Sequence, residues 1–194
     1  METILETENS KLTLYSLDAE VMQLIAECVS AVDGELDLKP EIELFGKLFR
    51  QKRDIGFFSD ESRGYAYSST IAISKPMPAC LIALLQFVNT TFDANYNGIL
   101  VNKYADGTEY IGKHSDDVRE LNPRIGVLCI SYGAVRNFRI RDKATGKIVA
   151  NVPTHADKIM QMSGQFQCEF THEIPIQKKV LGARYSFTFR KHLR

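Results

Sequence analysis

Arg184-Tyr185-Ser186-Phe187-Thr188-Phe189-Arg190 is the stretch whose alternation decides the fold. Successive side chains of a strand point to opposite faces. Tyr185, Phe187 and Phe189 therefore share one face, and Arg184, Ser186, Thr188 and Arg190 share the other. The aromatic face suits packing beneath helices. The polar face, with a guanidinium at each end, then looks into a wet or ligand-filled interior, because buried charge without partners is costly. An amphipathic strand with two solvated arginines has the same pattern, so this stretch needs support from elsewhere. Asn102 and Tyr104, also two apart, offer a second polar pair able to face the same interior.

Outward from that strand, helices come early and strands late. Leu17, Val21, Leu24, Ile25, Cys28, Val29 and Val32 recur at helical spacing, with Ser16 placed to cap the helix and Gly34 to end it. A second helix is expected after Pro78, burying Leu81, Leu84, Leu85 and Val88. Strands are expected at 65–73, 98–104, 125–132, 136–142, 147–152, 158–162, 167–174 and 184–190. Asp106-Gly107 and Ala144-Thr145-Gly146-Lys147 read as turns. This order implies an α+β protein, a β-sandwich or jelly roll braced by helices on one face. Residues 1–11 read as a flexible tail and 12–194 as a single domain.

Lys+Arg 24 against Asp+Glu 24 cancel, so any basic surface must come from local clustering. Cys28, Cys80, Cys129 and Cys168 form no C-x-x-C pair and read as reduced, mostly buried thiols of an intracellular protein, nuclear or cytoplasmic. No apolar run is long enough to span a bilayer, so no membrane partner is expected, and a monomer is.

His114-Ser115-Asp116 places an imidazole and a carboxylate on one face of an extended segment. One further His would complete two His and one carboxylate around iron, an arrangement that leaves positions open for a cosubstrate and dioxygen. An H-x-D pair is a weak signal alone, and His155-Ala156-Asp157 is a second match that a hairpin would bring near His172. Cys168 and His172 also raise zinc, for which further ligands nearby are lacking.

Several separated motifs narrow the choice. They are N-x-Y at Asn102 and Tyr104, H-S-D-D at His114–Asp117, R-E-L-x-P at Arg119–Pro123 and S-x-G-A-x-R-x-F at Ser131–Phe138. M-x-G-x-x-Q-x-x-x-x-H at Met162–His172 and R-x-x-x-T-F-R at Arg184–Arg190 follow in order. Over Glu43 to Lys191 the chain resembles the AlkB family of Fe(II)/2-oxoglutarate-dependent dioxygenases. The resemblance implies a double-stranded β-helix core over about 98–191 and a nucleotide-recognition lid over about 42–75. It implies Fe(II) on His114, Asp116 and His172, with His155 outside the site. It implies 2-oxoglutarate held by Arg184 and Tyr104 at its distal carboxylate and served by Asn102 and Arg190 at its chelating end, with O2 as the oxidant. Ser186 stands in the same pocket where the family often has Asn.

The resemblance is closest to the branch of the family that repairs alkylated duplex DNA. Phe45-Gly46-Lys47 matches its wedge motif, and Arg53, Phe58, Asp60 and Tyr65–Ser68 fall on its lid, while Lys52 and Ser59 replace the usual Pro and Gly. An enzyme that acts on a base within a duplex must extrude it. Phe45 suits plugging the vacated stack, and Phe58, Tyr65 and Tyr67 suit sandwiching the base. Asp117 suits a cationic alkylated base, and Arg136, Arg139, Arg141, Lys143, Lys178 and Lys179 suit phosphates. The implied reaction removes an N-methyl group from a DNA base as formaldehyde, with 2-oxoglutarate converted to succinate and CO2. RNA demethylation, protein hydroxylation and non-catalytic nucleic-acid binding are the alternatives.

Overall fold

The helices form where the apolar spacing places them. In the computed structural model, which describes residues 1–44, 46–62, 64–67, 70–116 and 124–191, and of these all side chains except those of 44, 65–67 and 70–72, α1 spans Ala19–Val32 and α2 spans Ala79–Phe92. α1 buries Val21, Ile25, Cys28 and Val32, and α2 buries Leu81, Leu84 and Val88. The cap of α1 is Asp18, whose Oδ1 accepts the Val21 N–H at 2.9 Å. Ser16, expected as that cap, lies two residues too early and instead closes a strand. Pro78 precedes α2 with an extended backbone, consistent with its lack of an N–H.

The strands are, in chain order, β1 Glu2–Glu6, β2 Ser10–Ser16, β3 Glu41–Leu44, β4 Lys47–Arg50, β5 Asp54–Phe58, β6 Gly64–Tyr67, β7 Thr70–Lys75 and β8 Gly98–Tyr104. They continue as β9 Ile111–His114, β10 Val127–Gly133, β11 Asn137–Asp142, β12 Ile148–Pro153, β13 Lys158–Gly164, β14 Phe170–Ile174 and β15 Arg184–Arg190. A single helical turn, α3 Phe166–Glu169, lies between β13 and β14. Among the described residues a nine-stranded sheet runs β1-β2-β13-β10-β15-β8-β5-β7-β6, and a four-stranded sheet runs β12-β11-β14-β9. Among the described residues β3 and β4 pair only with each other. This is the jelly-roll arrangement expected, with helices on one face.

Two cores follow from β15. Its Tyr185, Phe187 and Phe189 join Val21, Ile25, Leu81 and Leu84 between the large sheet and the helices. Burying a Phe fully contributes roughly 1.5–3 kcal/mol, so Phe187 and Phe189 help fix the helices to the sheet. Between the two sheets, Leu12, Leu14, Val127, Met160 and Met162 of the large one meet Phe138 and Ile140 of the small one. The polar face of β15 looks into this second space, at its open end.

Several boundaries differ from the sequence expectations. Residues 1–11, read as a flexible tail, form β1 and the first part of β2; β2 pairs with β13 and buries Leu12 and Leu14, while Ile4 and Leu5 of β1 pack on the same core. The strand expected at 65–73 is the β6–β7 hairpin, and that at 167–174 is α3 followed by β14. β5 has no polar–apolar alternation to betray it, because all five of its residues are buried. The Asp106-Gly107 turn is obligatory glycine: a Cβ on Gly107 would stand 1.9 Å from the Gln177 carbonyl oxygen. No helix among the described residues is long and apolar enough to cross a membrane.

Candidate active site

Strand register assembles the site. β9 and β14 pair so that His114 lies directly opposite His172, with ring centroids 4.4 Å apart. Asp116, two residues past the ladder, turns its carboxylate toward both: Oδ1 lies 3.9 Å from His114 Nε2, and Oδ2 lies 3.7 Å from His172 Nε2. One ligand atom from each of these three residues falls within 4.8 Å of the others. His114 Nδ1 lies 2.9 Å from the Gly112 carbonyl, to which it can donate, leaving Nε2 free for a cation. His172 has no such partner for its buried Nδ1 among the described residues; its ring is held by stacking on Phe138, centroid to centroid 4.8 Å.

Electrostatics suit the same use. Burial pushes His172 down to about 3, aided by the nearby His114 and Arg190 charges, and burial also lowers His114. Both shifts favour the neutral imidazole that metal ligation requires. Burial pushes the Asp116 carboxyl up, but Arg190, His172 and His114 outweigh that and hold it below its usual value. Arg190 contributes directly, since its Nη2 donates to Asp116 Oδ1.

On the facing sheet, β15 and β8 pair Arg184 with Tyr104 and Ser186 with Asn102. All four side chains, with Thr188, Arg190 and Arg53, line one cleft whose wall also carries His114, Asp116 and His172. Arg53 donates from Nε to Asn102 Oδ1 at 2.8 Å. Near the Tyr104 ring, the Arg184 guanidinium lies 5.3 Å and the Arg136 guanidinium 5.8 Å from its centroid. Arg184 is 2% exposed and is held by Thr154 Oγ1 on Nε and by Ser131 Oγ on Nη2. Its Nη1 is buried with no hydrogen-bond partner among the described residues.

These residues fit both groups the chemistry asks for. Two neutral imidazoles and an ionised carboxylate make a donor set for Fe(II). The unpartnered Arg184 Nη1 suits an anionic oxygen, because a buried guanidinium donor left unpaired is costly.

The jelly roll and this site define a non-haem iron oxygenase. Residues 19–190 match the 2OG-Fe(II) oxygenase superfamily, and the chain belongs to it. Within that superfamily it is an AlkB-family member. It is 30% identical over 182 residues to the human DNA oxidative demethylase ALKBH2, covering 90% of this chain and 70% of that protein. It is likewise 30% identical to the mouse DNA oxidative demethylase ALKBH2, over 90% of this chain and 76% of that protein. The solved structure of OsALKBH1 shares the fold, with a TM-score of 0.58 at 15% identity, over 93% of this chain and 97% of that one.

Other candidates fall elsewhere. His155 is exposed in the turn between β12 and β13, away from the His114–Asp116–His172 cluster. Cys168 is exposed on α3; all four cysteines are free, and only Cys28 is fully buried, against the expectation of mostly buried thiols. Phe58, expected to face a base, is 1% exposed and packs in the helix-side core, because β5 is covered on both faces. Phe45 and Asp117 lie outside the described residues, as do the side chains of Tyr65 and Tyr67. Arg139 and Arg141 both reach Glu173, and Lys143 Nζ donates to the Gln167 carbonyl. Thr154 and Ser131, which hold Arg184, come from separate segments, and of the two only Ser131 falls in a quoted motif, which does not point to that task.

Arg136 is the clearest correction. Expected at phosphates, it is 1% exposed and donates to the carbonyls of Asp106, Glu109 and Pro175. A guanidinium committed to three carbonyls binds loops together. Arg136→Ala is expected to cost roughly 3–5 kcal/mol, since it orphans one buried and two half-buried carbonyls and empties a buried side-chain site. That is a melting-temperature fall on the order of 10 °C by calorimetry. An unchanged melting temperature with weakened DNA binding would restore the phosphate role.

Proposed function

We propose that this chain is an oxidative demethylase of N-alkylated DNA bases that uses Fe(II), 2-oxoglutarate and O2. One observation carries the reading: the His114–Asp116–His172 cluster shares a cleft with Arg184, whose Nη1 has no hydrogen-bond partner among the described residues, in a chain similar along most of its length to DNA oxidative demethylases. Bound Fe(II) with 2-oxoglutarate and O2 supplies the oxidation, placing one oxygen on the substrate's alkyl group and the other in succinate, with loss of CO2. The hydroxylated N-methyl group then leaves as formaldehyde and the base is restored.

His114, Asp116 and His172 would hold the metal, which would supply positions for cosubstrate and oxygen. Arg184 takes the distal carboxylate of 2-oxoglutarate, positioned by Thr154, Ser131 and the Tyr104 ring. Asn102 and Ser186 line the same wall, and Arg190 holds the Asp116 carboxylate. The apolar cleft wall, with Leu100, Ile111 and Phe138, excludes water from the oxidation.

For the substrate, the lid and the Phe45-Gly46-Lys47 motif support duplex DNA, with Tyr65, Tyr67 and Asp117 serving the extruded base and Arg53 at the cleft edge of the lid. Formaldehyde release from the same methylated lesion in duplex DNA, single-stranded DNA and RNA tests this. The duplex should be turned over, and Phe45→Ala should cut its turnover tens-fold, on the order of 2 kcal/mol lost from the flipped state. Single-strand turnover should hold, because there is no stack to plug. Equal losses on both, with a lowered melting temperature, would place Phe45 in the core. Turnover of RNA alone, or of none of the three, would favour RNA demethylation or protein hydroxylation.

A further inference from the structure

Asp116 is the one ligand of the cluster that no strand ladder holds. β9 ends at His114, and the register that sets His114 opposite His172 does not extend to Asp116. Its carboxylate is gripped by Arg190, but a side-chain grip leaves the backbone beneath it to be fixed by something else. The Asp116 N–H donates to Gln167 Oε1 at 2.8 Å. Gln167 sits on α3, the single turn that leads directly into β14 and His172.

The amide of Gln167 is itself oriented. Its Nε2 lies 3.6 Å from Met162 Sδ, which leaves Oε1 as the end that faces Asp116. The main-chain carbonyl of Gln167 accepts from Lys143 Nζ at 2.6 Å, tying α3 to the β11–β12 turn. One residue earlier, Ser115 Oγ donates to the Phe170 carbonyl at 2.8 Å, so the same two segments meet twice. Ser115 sets the path of the chain, and Gln167 sets the peptide plane from which the carboxylate projects.

We infer that Gln167 is a positioning residue for the metal centre: it fixes the backbone of Asp116 relative to His172 and so sets the affinity and geometry of the site. The inference rests on the metal-site assignment of His114, Asp116 and His172. Partners that orient metal ligands typically carry 10–100-fold in metal affinity. A one-turn helix is the only attachment this contact needs, so the effect is local.

The test is anaerobic Co(II) titration of the full chain, read by calorimetry and by the visible ligand-field bands, with no turnover required. Gln167→Met keeps the size and removes the acceptor; it is expected to weaken Co(II) by about 10–100-fold and shift the bands. Gln167→Glu keeps an oxygen for the Asp116 N–H and is expected to restore affinity to within a few-fold. The metal-free melting temperature should match the parent in both. Wild-type affinity and bands in Gln167→Met would overturn the inference. Equal losses in Gln167→Met and Gln167→Glu, with lowered metal-free melting temperatures, would also overturn it, marking the contact as structural. His114→Ala is the separate control: if it binds Co(II) as the parent does, the metal assignment fails, and this inference with it.

Discussion

His114→Ala, Asp116→Ala and His172→Ala are each expected to leave a folded protein with no detectable demethylation, and none should gain stability from added metal. Three donors within 4.8 Å of one another make the site, so removing one leaves two, too few to hold iron against water on one face. Binding to the native state alone raises stability by RT ln(1 + [L]/Kd), about 2.7 kcal/mol at a hundredfold excess over Kd. A metal-dependent rise in melting temperature should therefore appear in the parent and in His155→Ala and vanish in the three ligand variants. The neutral state of His172 makes this visible near pH 7, because its imidazole sits far below its ordinary value and releases no proton on binding. A rise retained by His114→Ala but lost by His155→Ala would mean that the other H-x-D pair holds the metal.

That two such pairs existed is where the sequence ran short. Alternation told Arg184 and Arg190 from Phe187 and Phe189, and all seven residues of β15 took the faces assigned to them. Local spacing also placed His114 and Asp116 together. Choosing His172 as their companion needed the resemblance, because the pairing of β9 with β14 joins residues 58 positions apart in sequence and leaves no local trace. The failures share a cause. Arg136 looked like surface chemistry because it stands in a cluster of basic residues, and Phe58 because the resemblance puts it on the nucleotide-recognition lid. Each is buried by partners from distant segments: three carbonyls for Arg136, and the helix-side core for Phe58. Residues 1–11 looked like a tail because their acidic side chains hid Ile4 and Leu5, which become inward-facing only once β2 has joined β13.

Arg184→Ala is expected to raise the concentration of 2-oxoglutarate needed for half-maximal turnover by tens- to thousands-fold while leaving DNA affinity nearly unchanged. The guanidinium is 2% exposed, two of its nitrogens are held by Thr154 and Ser131, and Nη1 remains for a ligand oxygen. Removing a charge-assisted partner of a buried carboxylate costs roughly 2–5 kcal/mol, which gives that range in affinity. Arg184→Lys is informative beside it. An ammonium restores the charge but not the fork, and it cannot reach Thr154, Ser131 and a carboxylate together. It should recover only part of the loss. The two hydroxyls make a further distinction: Thr154→Val leaves the charge in place and frees its orientation, so it should weaken 2-oxoglutarate less than Arg184→Ala does. Calorimetric titration of 2-oxoglutarate into the metal-loaded protein without oxygen reads all three variants. An unchanged constant in Arg184→Ala would remove Arg184 from the cosubstrate site, and the unpartnered Nη1 would then need another anion.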